Sequence, residues 1–330
     1  MIRNEDIHFH RPDGLGYDWA ETGFFNFYVP ARNLHGWVYI VHRTGLGVSI
    51  CGIEIVDAQA DDPAQARYVD MQNHLPIPER AEAFTLPNGL SFTAGSIRDY
   101  RIDYQGFDDT ELHLEITGIM EPYDIHDPNM DPMAVADPAA NSESTGFGAA
   151  YSAHFDMSVR VAGSLRLRGE NIDIDCLATM DHSWGPRPES AFSAIAWVNG
   201  HFEDGSVLHS IWSLDRAAPR GEQHTFRHGY ALVDGRVRGV REGDLVLTRR
   251  GHFGTAGELR LVDVDGTEHR AHSAILTSHY WVPYANCPSP ISMHRFHMAD
   301  GRSGIGTVLE GFPTNRWCGT GQVAAKVAGA

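Results

Sequence analysis

The chain has 330 residues, of which 42% are hydrophobic and 21% charged, values typical of a globular protein with a sizeable core. Its net charge is −17, and lysine occurs once, as Lys326. An acidic chain without basic runs is a poor ligand for nucleic acid or for an anionic membrane surface, so we expect neither as a partner. The length suggests two domains or one large one.

The N-terminus and the cysteines indicate a cytoplasmic protein. Residues 1–6 are charged and lead into no apolar run, so we predict no secretory signal. No stretch of about 18 apolar residues exists, and we expect no membrane span. The cysteines form no CxxC pair, and we interpret them as free thiols: Cys51, Cys176, Cys287 and Cys318.

The hydrophobic pattern alternates with a period of two along most of the chain, which is typical of β-strands. The first half contains such segments at residues 24–28, 34–41, 47–56, 90–92, 100–104 and 112–119. The second half contains them at 156–167, 172–180, 194–198, 207–212, 228–233, 245–248, 258–264 and 304–310. Residues 63–69 are the exception, with a pattern that fits a short helix or a loop. Many short strands at even spacing predict sandwiches or barrels, and this length favours two in series.

Residues 121–148 interrupt the strand pattern. They carry many aspartates and the prolines Pro122, Pro128, Pro132 and Pro138. A segment of this length is too long for a hairpin loop, and long loops in compact proteins are usually linkers or functional lids. We therefore predict an N-terminal barrel over residues 1–150, ending in a Pro/Asp-rich linker or lid, and a C-terminal barrel over residues 151–330.

The heptapeptide from Asp181 to Arg187, DHSWGPR, concentrates an acid, an imidazole, an indole and a guanidinium. Its Trp-Gly-Pro step predicts a turn. Asp181 and His182 could form an acid/base pair, since imidazole titrates near neutral pH and a carboxylate can orient it. Arg187 could hold Asp181 by a two-pronged hydrogen bond. The alternative is a structural corner with Trp184 in the core.

Strand alternation before the turn places Asp181 and His182 on opposite faces. The turn would have to swing one of them for both to reach a ligand. We therefore expect one of the pair to touch substrate and the other to brace the corner.

The run His154-Phe155-Asp156, followed by two strands and the heptapeptide, resembles the two-domain lipocalin-like (calycin) family. That family includes the carotenoid 1,2-hydratases, or hydroxyneurosporene synthases, and uncharacterised bacterial relatives. Residues 21–27, Gly36-Trp37 and residues 300–310 resemble the first and last strands of those relatives.

The resemblance implies an all-β fold of two lipocalin-like antiparallel β-barrels in tandem, packed together. It also implies a hydrophobic substrate, such as a carotenoid, another terpenoid or a polyketide. The strongly negative charge and the lack of membrane-seeking segments favour a smaller terpenoid, steroid or aromatic compound over a long carotenoid. We also keep a homodimer open.

Adding or removing water needs a proton donor, a base and an apolar wall, and aromatic faces can stabilise a developing carbocation by about 1–2 kcal/mol each. We expect the catalytic groups to be Asp181, His182, His154 and Asp156. The candidates for binding substrate are Trp184, Arg187, Tyr123, Trp197, His209, His279, Tyr280 and Glu310. For each, the alternative is a structural role in the core or a charge that faces solvent.

No nucleophile elbow, phosphate loop or dinucleotide fingerprint occurs, and the 19 histidines lack the usual metal-binding spacings. We therefore expect a lyase without cofactor or metal, most simply a hydratase or dehydratase, acting on a hydrophobic small molecule. If a metal were needed, His154, Asp156 and His182 would be the first ligands to test. The alternatives are a carbon–carbon lyase that releases an aldehyde by retro-aldol cleavage, and a carrier without catalysis.

Overall fold

A computed structural model describes residues 1–135, 152–188 and 193–314. In these ranges the chain consists of β-strands and short 3-10 turns, which confirms the all-β prediction. Two compact units share the chain: among the described residues, the first comprises 1–57, 66–130 and 152–186, and the second 58–65, 131–135, 187–188 and 193–314. No helix in the described part is long and apolar enough to cross a membrane.

The first unit is a curled antiparallel sheet. Its strands are β1 (Trp19–Val29), β2 (Leu34–Arg43), β3 (Val48–Val56), β4 (Tyr68–Pro76), β5 (Ala83–Thr85), β6 (Leu90–Ser96), β7 (Asp99–Gln105), β8 (Glu111–Gly118), β9 (Tyr123–Asp124), β10 (Ala153–Leu167) and β11 (Glu170–Pro186). They lie in the order β4-β3-β2-β1-β11-β10-β8-β7-β6-β5, and β9 pairs with β10. Strand β8 shows the expected alternation, since Leu112, Leu114 and Ile116 are buried and the residues between them are exposed.

The second unit is a closed barrel. Its strands are β12 (Ile195–Phe202), β13 (Val207–Leu214), β14 (His224–Val233), β15 (Arg236–Arg250), β16 (Phe253–Asp263), β17 (Glu268–Tyr284), β18 (Cys287–Met298) and β19 (Ser303–Gly311). Each strand pairs with the next, and β19 pairs with β12 to close the barrel. Trp212, Leu261 and Phe296 belong to its apolar core. One unit with a closed barrel and one with a curled sheet fit the prediction of tandem barrels.

The predicted strands all overlap observed ones, but five observed strands overlap none of the predicted strand segments. These are β4, β5, β9, β17 and β18. Residues 63–69 begin with a 3-10 turn at Pro63–Gln65 and then enter β4 at Tyr68. The short strands β5 and β9 have too few residues to show a period. Strand β17 buries the polar side chains His269, Ser273 and Thr277, which hide its alternation.

Residues 152–186 belong to the first unit, and most of the second unit follows Pro186. The domain boundary that we predicted at residue 150 stays a prediction. Strands β10 and β11 pair with each other along their whole length, and they lie between β8 and β1 of the first unit. The first six residues of the heptapeptide therefore end the first unit, and its last residue, Arg187, belongs to the second. Residues 136–148 of the predicted lid lie outside the described residues.

The described part of the Pro/Asp-rich segment is organised by aspartate side chains. The Oδ1 atoms of Asp124, Asp127 and Asp131 each accept a hydrogen bond from the backbone N–H two residues further on, at 2.7–2.9 Å. Such Asx turns fix the chain locally without a helix or a ladder. This explains why a loop rich in aspartate has a defined path.

Candidate active site

The heptapeptide is extended, and the turn that we predicted within it is wrong. Asp181 pairs with Phe24 of β1, and the ladder continues to Pro186 opposite Trp19. Because β1 offers a partner along the whole stretch, Gly185 is held extended opposite Ala20. Pro186 occupies the last position of β11, where proline is tolerated. Alternation is therefore kept: His182 and Trp184 share one face of the sheet, and Asp181 and Ser183 share the other.

The face that carries His182 lines a cavity of the first unit. The cavity volume is about 40 Å³, and the cavity is partly open to solvent. Most of its wall is apolar and comes from Ile7, Phe25, Ile40, Ala81, Phe84, Phe92, Ala94, Ile97, Tyr100 and Met180. Phe92 lies 5.7 Å from Phe25 and 5.1 Å from Phe84 between ring centroids.

One end of the cavity is polar and contains a hydrogen-bonded chain of two carboxylates and an imidazole. His10 Nδ1 lies 3.1 Å from Glu21 Oε2, and its Nε2 lies 3.2 Å from Asp6 Oδ1. The backbone N–H of His10 donates to Glu21 Oε1 at 2.7 Å. The ring of Trp184 stacks on His10 at 3.7 Å, with an angle of 5° between the planes. These contacts fix the imidazole on both edges and on one face.

His182 completes the polar end. It hydrogen-bonds the backbone of Thr22, and its Nε2 is buried without a hydrogen-bond partner among the described residues. One nitrogen of His182, one nitrogen of His10 and one oxygen of Glu21 lie within 4.8 Å of one another. When one ring nitrogen of a neutral imidazole donates to a carbonyl, the other carries a lone pair. Nε2 is therefore available to accept a proton or to bind an ion.

The surroundings shift the pKa values of the histidines and of Glu21 in different directions. Burial, together with the nearby His10, His42 and His154, lowers the pKa of His182 to about 3, so the ring is neutral at neutral pH. Burial also lowers the pKa of His42 to about 3. Burial raises the pKa of Glu21 and outweighs the opposing effect of His10. For His10, burial opposes the charged form, but the bonds to Glu21 and Asp6 outweigh it and raise the pKa. Both changes favour a proton held by the His10–Glu21 pair.

The other three residues of the predicted catalytic set lie on the opposite face of the same strands. His154 Nε2 lies 2.9 Å from Asp156 Oδ2, and both side chains are buried. Asp156 stands opposite Asp181 in the ladder. The structure therefore brings Asp181, His154 and Asp156 together but separates them from His182.

The remaining predicted binding residues are distributed over both units. In the first unit, Trp184 lies at the polar end of the cavity, and the buried Tyr123 donates from its hydroxyl to the carbonyl oxygen of Met130 at 3.2 Å. Arg187 is buried at the start of the second unit, and its bond to Asp181 stays a prediction. The others lie in the second unit: Trp197, His209, His279, Tyr280 and Glu310.

Two of these second-unit groups have clear partners. His209 is fully buried, with its ring 5.5 Å from Trp197 and 4.9 Å from Tyr230. Glu310 lies 2.8 Å from His224 Nε2, and Arg249 Nε donates to it at 3.0 Å. His224 and Arg249 lower the pKa of Glu310 to about 2 against the opposing effect of burial. Both arrangements fit a structural role.

The sequence did not single out Asp6, His10, Glu21 or His42 as site residues. These side chains come from an N-terminal segment and from β1 and β2, far in sequence from His182. One signal was present: Glu21 is a carboxylate in an otherwise apolar strand, on the same face as Gly23 and Phe25.

Residues 3–311 match the model of a family described as a domain of unknown function, DUF7064. The protein belongs to this family. A search of curated proteins finds no match.

Several solved structures share the fold. One, from Nitrosomonas europaea and named provisionally as AttH, has 15% identity and a TM-score of 0.55, and the alignment covers 88% of this chain and 91% of that one. Kievitone hydratase from Nectria haematococca has 10% identity and a TM-score of 0.52, with 92% and 91% covered. The structure of CghA with Sch210972 has 10% identity and a TM-score of 0.52, with 89% and 88% covered.

At such identities these likenesses show the fold alone. The finer resemblance to carotenoid 1,2-hydratases stays a prediction.

Proposed function

We propose that the protein is a lyase that adds water to, or removes water from, a hydrophobic small molecule held in the cavity of the first unit. One observation carries the proposal. An aromatic cavity meets a polar end, where His182 lies near the His10–Glu21 pair and its Nε2 has no hydrogen-bond partner in the described part of the chain. Adding or removing water usually requires one group that holds a proton and another that can accept one, and their environments keep the two pKa values apart.

The wall of the cavity supports a hydrophobic substrate. Phe25, Phe84, Phe92 and Tyr100 offer ring faces. Among the described residues of the lining, the carboxylates are Asp6 and Glu21, and both belong to the polar end. A terpenoid, steroid or aromatic body would fit against the rings, with its oxygen function directed to the polar end. Ring faces also favour a carbon that gains positive charge during the reaction.

The polar end supplies the proton transfers. In dehydration, His182 Nε2 would take a proton from the carbon next to the C–O bond, while the His10–Glu21 pair would give a proton to the departing hydroxyl. The C–H and C–O bonds break, a C=C bond forms and water leaves. Hydration is the reverse: protonated His182 would give its proton to the alkene carbon, and the His10–Glu21 pair would take a proton from the attacking water. General acid–base catalysis of this kind contributes about 10²–10⁴-fold in rate.

The comparisons support the reaction class through the fold, since one structure with this fold is named a hydratase. The two alternatives predict other outcomes in the same assay. A carbon–carbon lyase would release an aldehyde, and a carrier would bind a ligand and convert none.

The test is a panel of terpenoid, steroid and aromatic alcohols and alkenes, incubated in water enriched in heavy oxygen and analysed by mass spectrometry. We expect at least one compound to gain or lose water, with the label in the hydrated product. The variant His182→Ala should lose about 10²–10⁴ in rate. Ala94→Phe should block the cavity, whereas Thr93→Phe, its exposed neighbour on β6, should leave the rate within about threefold of wild type.

Equal rates in Ala94→Phe and Thr93→Phe would remove the cavity from the proposal. Tight binding of panel compounds without conversion of any would favour the carrier. An aldehyde product would favour the carbon–carbon lyase.

A further inference from the structure

We propose that His10, Glu21 and His182 form a binding site for a divalent first-row transition cation, with Zn²⁺ the best fit. Their ligand atoms lie within 4.8 Å of one another at the polar end of the cavity. Two imidazoles and one carboxylate are a ligand set of catalytic zinc sites, where a water fills the fourth position. We predicted no metal from the sequence because residues 10, 21 and 182 are far apart in the chain and form no local metal-binding motif.

The distance between His10 and Glu21 already suits one ion. Zinc binds nitrogen and oxygen ligands at about 2.0–2.2 Å, so two neighbouring ligands lie about 3–3.5 Å apart. His10 Nδ1 and Glu21 Oε2 are 3.1 Å apart. The third ligand, His182 Nε2, is buried and has no hydrogen-bond partner among the described residues. The cation would replace the proton between His10 and Glu21 and would occupy the vacant nitrogen of His182.

Each proposed ligand has a second polar atom, directed away from the centre, that is already held. His10 Nε2 lies 3.2 Å from Asp6 Oδ1, and Glu21 Oε1 accepts from the His10 backbone N–H at 2.7 Å. His182 hydrogen-bonds the backbone of Thr22. Metal-binding histidines usually donate their other ring N–H to a carboxylate or a backbone carbonyl, which fixes the tautomer and the ring. The outer contacts thus orient all three inner atoms.

Charge and access also suit a cation. Glu21 and Asp6 provide two carboxylates that can balance a divalent charge in this partly buried place, where an unbalanced charge would be costly. Both residues line the cavity, so a bound ion would face space for a water or for an oxygen of a ligand. The inference deepens the proposed function and rests on it for its catalytic meaning. A cation-bound water would then replace bare His182 as the base.

The site is tested by binding, independently of turnover. The full chain is freed of metal with a chelator and titrated with Zn²⁺ by calorimetry, and with Co²⁺ by visible absorption, which reports the coordination geometry. We expect one strong site per chain with a low-coordinate Co²⁺ spectrum. His182→Ala should weaken it more than about 100-fold, and Asp6→Asn, which removes only an outer contact, about 10–100-fold. His113→Ala removes an exposed imidazole of the same unit and should change nothing.

The Asp6→Asn variant keeps the test valid if His182→Ala fails to fold, because Asp6 is partly exposed. No stoichiometric binding by the wild type, or binding equally strong in His182→Ala or in Asp6→Asn, would overturn the site. Turnover that persists without Zn²⁺ binding would leave the proposed function standing without the ion. Binding without turnover of any panel compound would leave the site standing without the proposed function.

Discussion

Many histidines of this chain are structural partners of buried carboxylates. His154 pairs with Asp156, His224 with Glu310, His228 with Asp131 and His269 with Asp263, at 2.6–3.0 Å. A buried carboxylate needs hydrogen-bond donors, and imidazole supplies them within a strand or across a sheet. The high histidine content therefore says little about catalysis. His182 differs, because its buried Nε2 has no partner among the described residues.

Glu310 gives a residue-scale prediction with a defined pH dependence. Removing its charge leaves Arg249 buried without its counter-ion, so Glu310→Gln should cost about 3–5 kcal/mol in the free energy of unfolding at pH 7. The pKa is lowered on folding, from 4.5 to about 2, so the contribution is complete above pH 4.5 and is lost as the pH falls to about 2.

Denaturant titrations of wild type and variant from pH 7 to pH 2 check this. The control is Glu258→Gln, which changes an exposed glutamate of β16. A stability difference that persists unchanged at pH 2 would contradict the role of the Glu310 charge.

At the scale of elements, the barrel closes where β12 meets β19. Gly306 stands opposite Gly200 in this pair, and a Cβ on Gly306 would overlap the carbonyl oxygen of Asn199. Gly306→Ala should therefore force the two strands apart and cost about 1–3 kcal/mol.

Chemical denaturation followed by tryptophan fluorescence measures this cost. The control is Gly221→Ala, where a Cβ would meet nothing within 4 Å. Equal stability of Gly306→Ala and wild type would show that the strands tolerate a side chain at this position.

Periodicity was informative for elements because each long strand buries alternate side chains, as Leu112, Leu114 and Ile116 show. It also predicted correctly that the side chains of Asp181 and His182 lie on opposite faces of the sheet. It did not show that β1 would hold the Trp-Gly-Pro step extended, since that depends on a strand more than 150 residues away. His10 and Glu21 were missed for the same reason: only the folded sheet brings them to His182.

At the scale of the whole molecule, the first unit depends on strands β10 and β11, which are far in sequence from its first strands. Strands β10 and β11 connect β8 to β1, so a chain without them would leave β1–β4 and β5–β8 as separate sheets. We predict that residues 1–186 unfold cooperatively and that residues 1–150 do not.

Thermal circular dichroism of the two fragments checks this prediction. A cooperative transition in residues 1–150 would contradict the division at Pro186 and would favour the boundary predicted from the sequence.

The central claim is that catalysis takes place on the cavity face of β11. The most direct measurement compares His182→Ala with His154→Ala on the compound that the wild type converts fastest, with rates taken per folded protein. The two imidazoles lie on opposite faces of the sheet. His154 on β10 stands opposite Ser183, the residue that follows His182 on β11. We predict that His182→Ala loses about 10²–10⁴ in rate and that His154→Ala loses less than about tenfold. A large loss in His154→Ala with an unchanged rate in His182→Ala would contradict the account and would place the chemistry on the face of Asp156 and Asp181.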